Sequence, residues 1–245
     1  MSVEHMAATA AILLTAYFIR GITGFGSGLI AVPLLALFLP LQFVVPLVLL
    51  LDFTASLVLG GVHFKHVQRD EVALLMPFSL LGVALGTSLL VSLPQAPMLF
   101  ALAFFVFAFA LRSLLNLHGD APVSRWWALP ASFTGGTVGG LFGTGGPPYV
   151  IYLAHRIRDK GQLRATLSAV FFIEGLTRIA SFLIVGLLMN LQVWTAFAVA
   201  LPLVLGALYL GGRAHVGLAP ARMTQLIGVL LLVSSASLLF KALHT

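Results

Sequence analysis

Gly24-Phe25-Gly26-Ser27-Gly28 returns as Leu141-Phe142-Gly143-Thr144-Gly145, with Gly26 set against Gly143 at an offset of 117 residues. The first copy sits in the wider run Gly21-Ile-Thr-Gly-Phe-Gly-Ser-Gly28, the second in Gly135-Gly-Thr-Val-Gly-Gly-Leu-Phe-Gly-Thr-Gly-Gly-Pro-Pro148. Both are flanked by apolar sequence. Glycines this dense break a helix, and backbone amides released from helical pairing cannot face lipid, so each break must line a protein-buried or watered cavity. Outward from the breaks the chain reads as apolar runs, among them Phe43 to Val62, Val72 to Ser92 and Met98 to Leu111. Several approach the roughly 20 residues that a helix needs to cross hydrocarbon.

Composition agrees with that reading. Of 245 residues, 60% are hydrophobic and 8% charged, and the mean hydropathy is +1.09. A water-soluble domain carries about three times that share of charge. The predicted class is therefore an all-α polytopic membrane protein. The net charge of +6 falls in loops between spans, which points to membrane orientation rather than to nucleic acid. The first residues, Met1-Ser-Val-Glu-His5, lack the basic n-region of a cleavable signal, so the segment is expected to remain. With no cysteine, disulfides, thiolate metal sites and thiol nucleophiles are excluded.

The self-similarity extends past the glycines. Asp52 and Glu174 lie in the runs that follow the two breaks, and Pro77 and Gly86 match Pro202 and Gly211. This predicts two repeats, residues 1–120 and 121–245, each a Gly-rich re-entrant or broken helix followed by three transmembrane helices. If residues 7–39 and 126–153 are re-entrant, ten of eleven loop Lys and Arg residues fall on one face, with Lys241 opposite; single crossings split them six and five. Basic residues are retained in the cytoplasm, so the asymmetry favours re-entrant hairpins with both termini outside. Three crossings per half then invert the second repeat relative to the first, as in many secondary transporters. Trp126, Trp127 and Trp194 fall at the predicted boundaries, where indoles prefer to lie.

Two groups of residues carry candidate chemistry. The half-helices that begin near Gly28 and Pro148 aim amide donors and positive dipole ends into the cavity, a geometry suited to a carboxylate, sulfonate or sulfite oxygen. Gly24, Gly26, Gly28, Gly143, Gly145 and Gly146 supply the backbone; Thr23, Ser27, Thr137 and Thr144 add hydroxyls. Glycines can equally serve close helix packing. The second group is Arg20, Asp52, Glu174 and Arg178, ionisable residues at membrane depth, where each charge costs about 2.5–3.5 kcal/mol even on the lenient scale. Arg20 and Arg178 are the candidate anion-binding cations, although Glu174 and Arg178 also have the four-residue spacing of an ion pair. Asp52 and Glu174 are candidate proton carriers, because desolvation favours a neutral carboxyl and a nearby cation a charged one. Tyr149, Tyr152 and Ser168 are candidates to line the same cavity. His63 and His66 have helical spacing but no further ligand nearby, so no metal is expected, and no cofactor motif, Walker loop or G-x-S-x-G nucleophile is present.

At these residues the chain resembles the sulfite exporter TauE/SafE family. The resemblance rests on Gly24-Phe-Gly-Ser-Gly-Leu-Ile-Ala-Val-Pro33, Gly139-Gly-Leu-Phe-Gly-Thr-Gly-Gly-Pro-Pro148 and Arg164-Ala-Thr-Leu-Ser168, and covers almost the full length. It implies an inner-membrane, multi-pass transporter linked in several members to efflux of sulfite, sulfoacetate or related anions. Thr144 and the doubled proline depart from the commoner pattern, in which a third glycine and a lone proline stand there. The expectation is a non-enzymatic secondary transporter of small anions in the lipid bilayer, with the two Gly-rich tips near the midplane and proton coupling as a hypothesis. Homo-oligomerisation is left open; a passive channel and a noncatalytic membrane subunit are the alternatives.

Overall fold

The computed structural model describes residues 3–23, 26–58, 66–115, 123–214 and 220–243. They form ten α-helices and two 3-10 turns, with no strand among them. In order these are α1 Val3–Thr23, α2 Ser27–Leu35, α3 Leu41–Val58, α4 Arg69–Ser92, α5 Gln95–Leu114, α6 Ala128–Phe142, α7 Gly146–Arg156, α8 Lys160–Ile184, α9 Leu191–Arg213 and α10 Pro220–Leu243. Stretches of α1, α3, α4, α5, α8 and α9 are long and apolar enough to cross a membrane. Phe104, Ile184 and Val199 stand exposed on such helices. In water these side chains would be a liability; against acyl chains they cost nothing.

Helix length separates the two Gly-rich segments. α6 has 15 residues and α7 has 11, about 22 and 16 Å, well short of a hydrocarbon core about 30 Å thick. In the first segment α2 is equally short at 9 residues, but α1 runs 21, long enough to cross.

The chain packs as two compact units, Met1–Val48 with Leu93–His118 and Gln192–Thr245, and Leu49–Ser92 with Gly119–Leu191. Each unit draws on both halves of the chain, so the sequence repeat and the packing units are different divisions.

In the second unit α4 crosses α6 at glycines. A Cβ on Gly86 would strike the Thr137 carbonyl, and one on Gly140 would meet the Val83 carbonyl and the Thr87 amide. In the first unit α9 meets α1 in the same way: Gly211 opposes the Phe18 carbonyl, and Gly21 opposes the Leu208 carbonyl and the Gly212 amide. Small residues let the backbones approach where lipid supplies no hydrophobic drive between helices. Phe18 stands to Thr137, and Gly21 to Gly140, at 119 residues; Leu208 stands to Val83, Gly211 to Gly86, and Gly212 to Thr87, at 125. One contact pattern therefore occurs twice, each time joining a helix of one sequence half to a helix of the other. Within the first unit α10 packs along α5, with Gly228 against Leu114, and Lys241 Nζ donates to the Ala36 carbonyl at 2.9 Å. That bond fills an orphan acceptor at the end of α2.

Candidate functional site

The second break is built by glycine at each step. α6 ends where Gly143 takes φ 72°, a left-handed conformation that costs glycine little. α7 then doubles back: Gly145 packs on Gly139 and the Gly135 carbonyl, and the Tyr149 ring packs on Gly135. Gly139, Gly145 and Gly135 thus face the hairpin interior, whereas Gly136 and Gly140 serve the crossing with α4. The cluster that sequence reading left between binding and packing divides between the two.

Into the space left by Gly139 comes Glu174 of α8, whose Oε1 lies against that glycine. Glu174 and Arg178 are both buried, and each senses the other's charge; Arg178 also senses Asp52 and Tyr149. Neither residue makes a hydrogen bond or closed ion pair among the described residues. Arg178 is 7% exposed, and its Nε and Nη2 are buried without an acceptor, as are Glu174 Oε1 and Thr144 Oγ1 without partners. Each unfilled buried polar group costs about 1–3 kcal/mol, more when charged. Buried polar atoms are normally hydrogen-bonded, so these four stand out. The start of α7 adds little, because Pro147 and Pro148 stand in its first turn and have no N–H. Positive character at this break therefore comes mainly from Arg178.

The first break differs. Gly26 precedes α2 with φ 95°, the position matched to Gly143, and these two are among the three glycines with positive φ in the described residues. α2 begins Ser27-Gly28-Leu29-Ile30, none of them proline, so each first-turn position carries an N–H, and the Gly26 cap makes no side-chain hydrogen bond. Arg20 Nη1 donates to Ser27 Oγ at 2.9 Å, both side chains buried. Thr23 turns its hydroxyl back to the Ile19 carbonyl at 2.9 Å. Gly24 lies outside the described residues.

Other expected positions fall less centrally. Tyr149 is fully buried; its hydroxyl lies 2.6 Å from Ser79 Oγ and donates to the Ser132 carbonyl at 3.3 Å, so its polar end is occupied by protein. Thr137 donates to the Phe133 carbonyl at 2.8 Å. Ser168 is exposed on α8, and Asp52 is half-buried on α3. His63 lies outside the described residues and His66 is exposed; no cluster suited to a metal occurs among the described residues.

Sequence reading missed a second polar knot. Glu71, buried in the first turn of α4, accepts from Arg156 Nη2 at 3.2 Å and from Tyr152 Oη at 2.7 Å, and lies 3.6 Å from Arg125 Nε. Tyr152 therefore ties α7 to α4 instead of lining the break. The available signal was an acidic residue at a helix start facing a basic loop, which in sequence is indistinguishable from a solvated pair.

Comparison with known proteins accords with this architecture. The family model for sulfite exporters of the TauE/SafE type matches residues 8–238. A Comamonas testosteroni protein described as "Probable inner membrane transporter protein TsaS" is 29% identical over 195 residues, covering 78% of this chain and 81% of that one. No solved structure matches.

Proposed function

The chain belongs to the sulfite exporter TauE/SafE family, and from that premise we propose that it is a secondary transporter exporting small anions such as sulfite or organosulfonates across the inner membrane. The observation that carries the reading is the buried Arg178 guanidinium, with Nε and Nη2 lacking acceptors. A guanidinium presents donors in a planar fork matched to two oxygens of one oxyanion. An anion seated there would fill both donors and offset the charge, and Thr144 Oγ1 offers a neutral donor on the same hairpin. The N–H groups that open α2 at Gly28, Leu29 and Ile30 are proposed as backbone donors of a second anion-binding position in the other unit.

Glu174 together with Asp52 are the groups proposed to carry a proton in the same direction as the anion, so that a cytoplasmic excess of the anion drives both outward. Glu174 sits one helical turn from Arg178, near enough for its charge to compete with an anion for that cation. Protonation removes the competition, so uptake of a proton and of an anion become favourable together.

The test is flux into liposomes of purified protein, with sulfite, sulfoacetate, thiosulfate and simple carboxylates offered with and without a proton gradient. Saturable movement of at least one oxyanion, accelerated by the gradient, is expected. Flux indifferent to the gradient would make the protein a passive channel, and movement of none of these anions would end the proposal.

A further inference from the structure

A cavity of about 620 Å³ opens in the second unit, lined by Asp70, Ala73, Leu74, Arg125, Trp126 and Leu129. Its size is within the ~300–1,000 Å³ usual for small-ligand sites. Asp70 and Glu71 are adjacent in the first turn of α4 but differ in burial. Glu71 is buried on Arg156 and Tyr152, while Asp70 is exposed and makes no ion pair or hydrogen bond among the described residues. Arg125 touches Glu71 through Nε at 3.6 Å, and its side chain is 55% exposed, which leaves the rest of the guanidinium fork open. The cavity thus holds a carboxylate and a guanidinium that do not pair with each other, with Ala73, Leu74 and Leu129 as its apolar lining. Trp126, 79% exposed, stands at its rim just before α6, in the setting that indoles take at a membrane surface.

The geometry points to a binding site for the headgroup of an aminophospholipid, with the phosphate on Arg125 and the primary ammonium on Asp70. Two opposite charges facing one cavity complement a zwitterion. The apolar lining and the exposed indole favour one that carries acyl chains over a soluble compound. An anionic headgroup satisfies Arg125 but leaves Asp70 unpaired, and its negative charge is repelled there. A quaternary choline offers Asp70 no N–H to accept.

Native mass spectrometry of the purified protein in detergent tests this, with phosphatidylethanolamine, phosphatidylglycerol and free phosphoethanolamine offered at equal concentration. Phosphatidylethanolamine should be retained at least threefold more than phosphatidylglycerol, free phosphoethanolamine should not be retained, and Asp70→Asn should erase the preference. Arg125→Gln should weaken retention of both lipids; because Arg125 also touches Glu71, the exposed Asp70 is the variant that decides. Equal retention of the two lipids by the unmodified protein, a preference that survives Asp70→Asn, or capture of free phosphoethanolamine would each overturn the assignment.

Discussion

Glu174 rests its Oε1 against Gly139, at the spot where any side chain on α6 would begin. The carboxylate reaches the interior of the hairpin only because that position has no Cβ, and with it comes Arg178, one turn further along α8. Gly139→Ala should displace the carboxylate and lower anion flux at least tenfold, since the atom in its way is a side chain held at full burial. Gly206→Ala, where a new methyl meets nothing within 4 Å, is the control and should leave flux unchanged. Liposome flux of the two variants side by side checks this; equal activity would mean that the placement of Glu174 is incidental.

Arg20 reaches Ser27, the first residue of α2, across the first break. Arg20→Ala should abolish anion transport while membrane insertion and yield stay normal, because the charge is proposed to serve the anion. Normal flux in the inserted variant would remove Arg20 from the site.

Asp52 is half-buried on α3 and contributes to the field at Arg178. Asp52→Asn keeps the shape and removes the titrating group. Transport driven by an anion gradient should persist, and its acceleration by a proton gradient should be lost. Unchanged acceleration would assign coupling elsewhere, with Glu174 the next residue to test.

Glu71 joins Arg156 and Tyr152, and so fastens the base of α7 to α4. Glu71→Gln should lower stability by about 1–3 kcal/mol, less than the ~3–5 kcal/mol of a fully buried pair, because Arg156 is partly solvated. Thermal unfolding in detergent should show a lower Tm. An unchanged midpoint would mean that the knot contributes nothing to holding the hairpin.

Much of this was legible in the amino acids. Composition and apolar run length suffice for the helical membrane class, because lipid forbids unpaired backbone. The pairing of Gly26 with Gly143 in sequence is also a pairing in backbone geometry, since both take positive φ. The burial of Arg20, Glu174 and Arg178 follows from the cost of exposing such groups to lipid. What could not be read was partnership. The spacing of Glu174 and Arg178 allows an ion pair, and only the fold turns Glu174 toward Gly139 instead. Tyr149 and Tyr152 look alike beside the double proline, yet one is engaged by Ser79 and the other by Glu71, residues some 70 and 81 positions away. Such distant choices leave no periodic trace in one sequence.

Equilibrium binding of sulfite to purified protein, measured by titration calorimetry for the unmodified chain and for Arg178→Gln, is the most direct test of the proposal that the unfilled guanidinium receives the anion. The unmodified protein should bind saturably, and the variant, folded as judged by circular dichroism, should bind at least tenfold more weakly. Equal affinity in the two would contradict it.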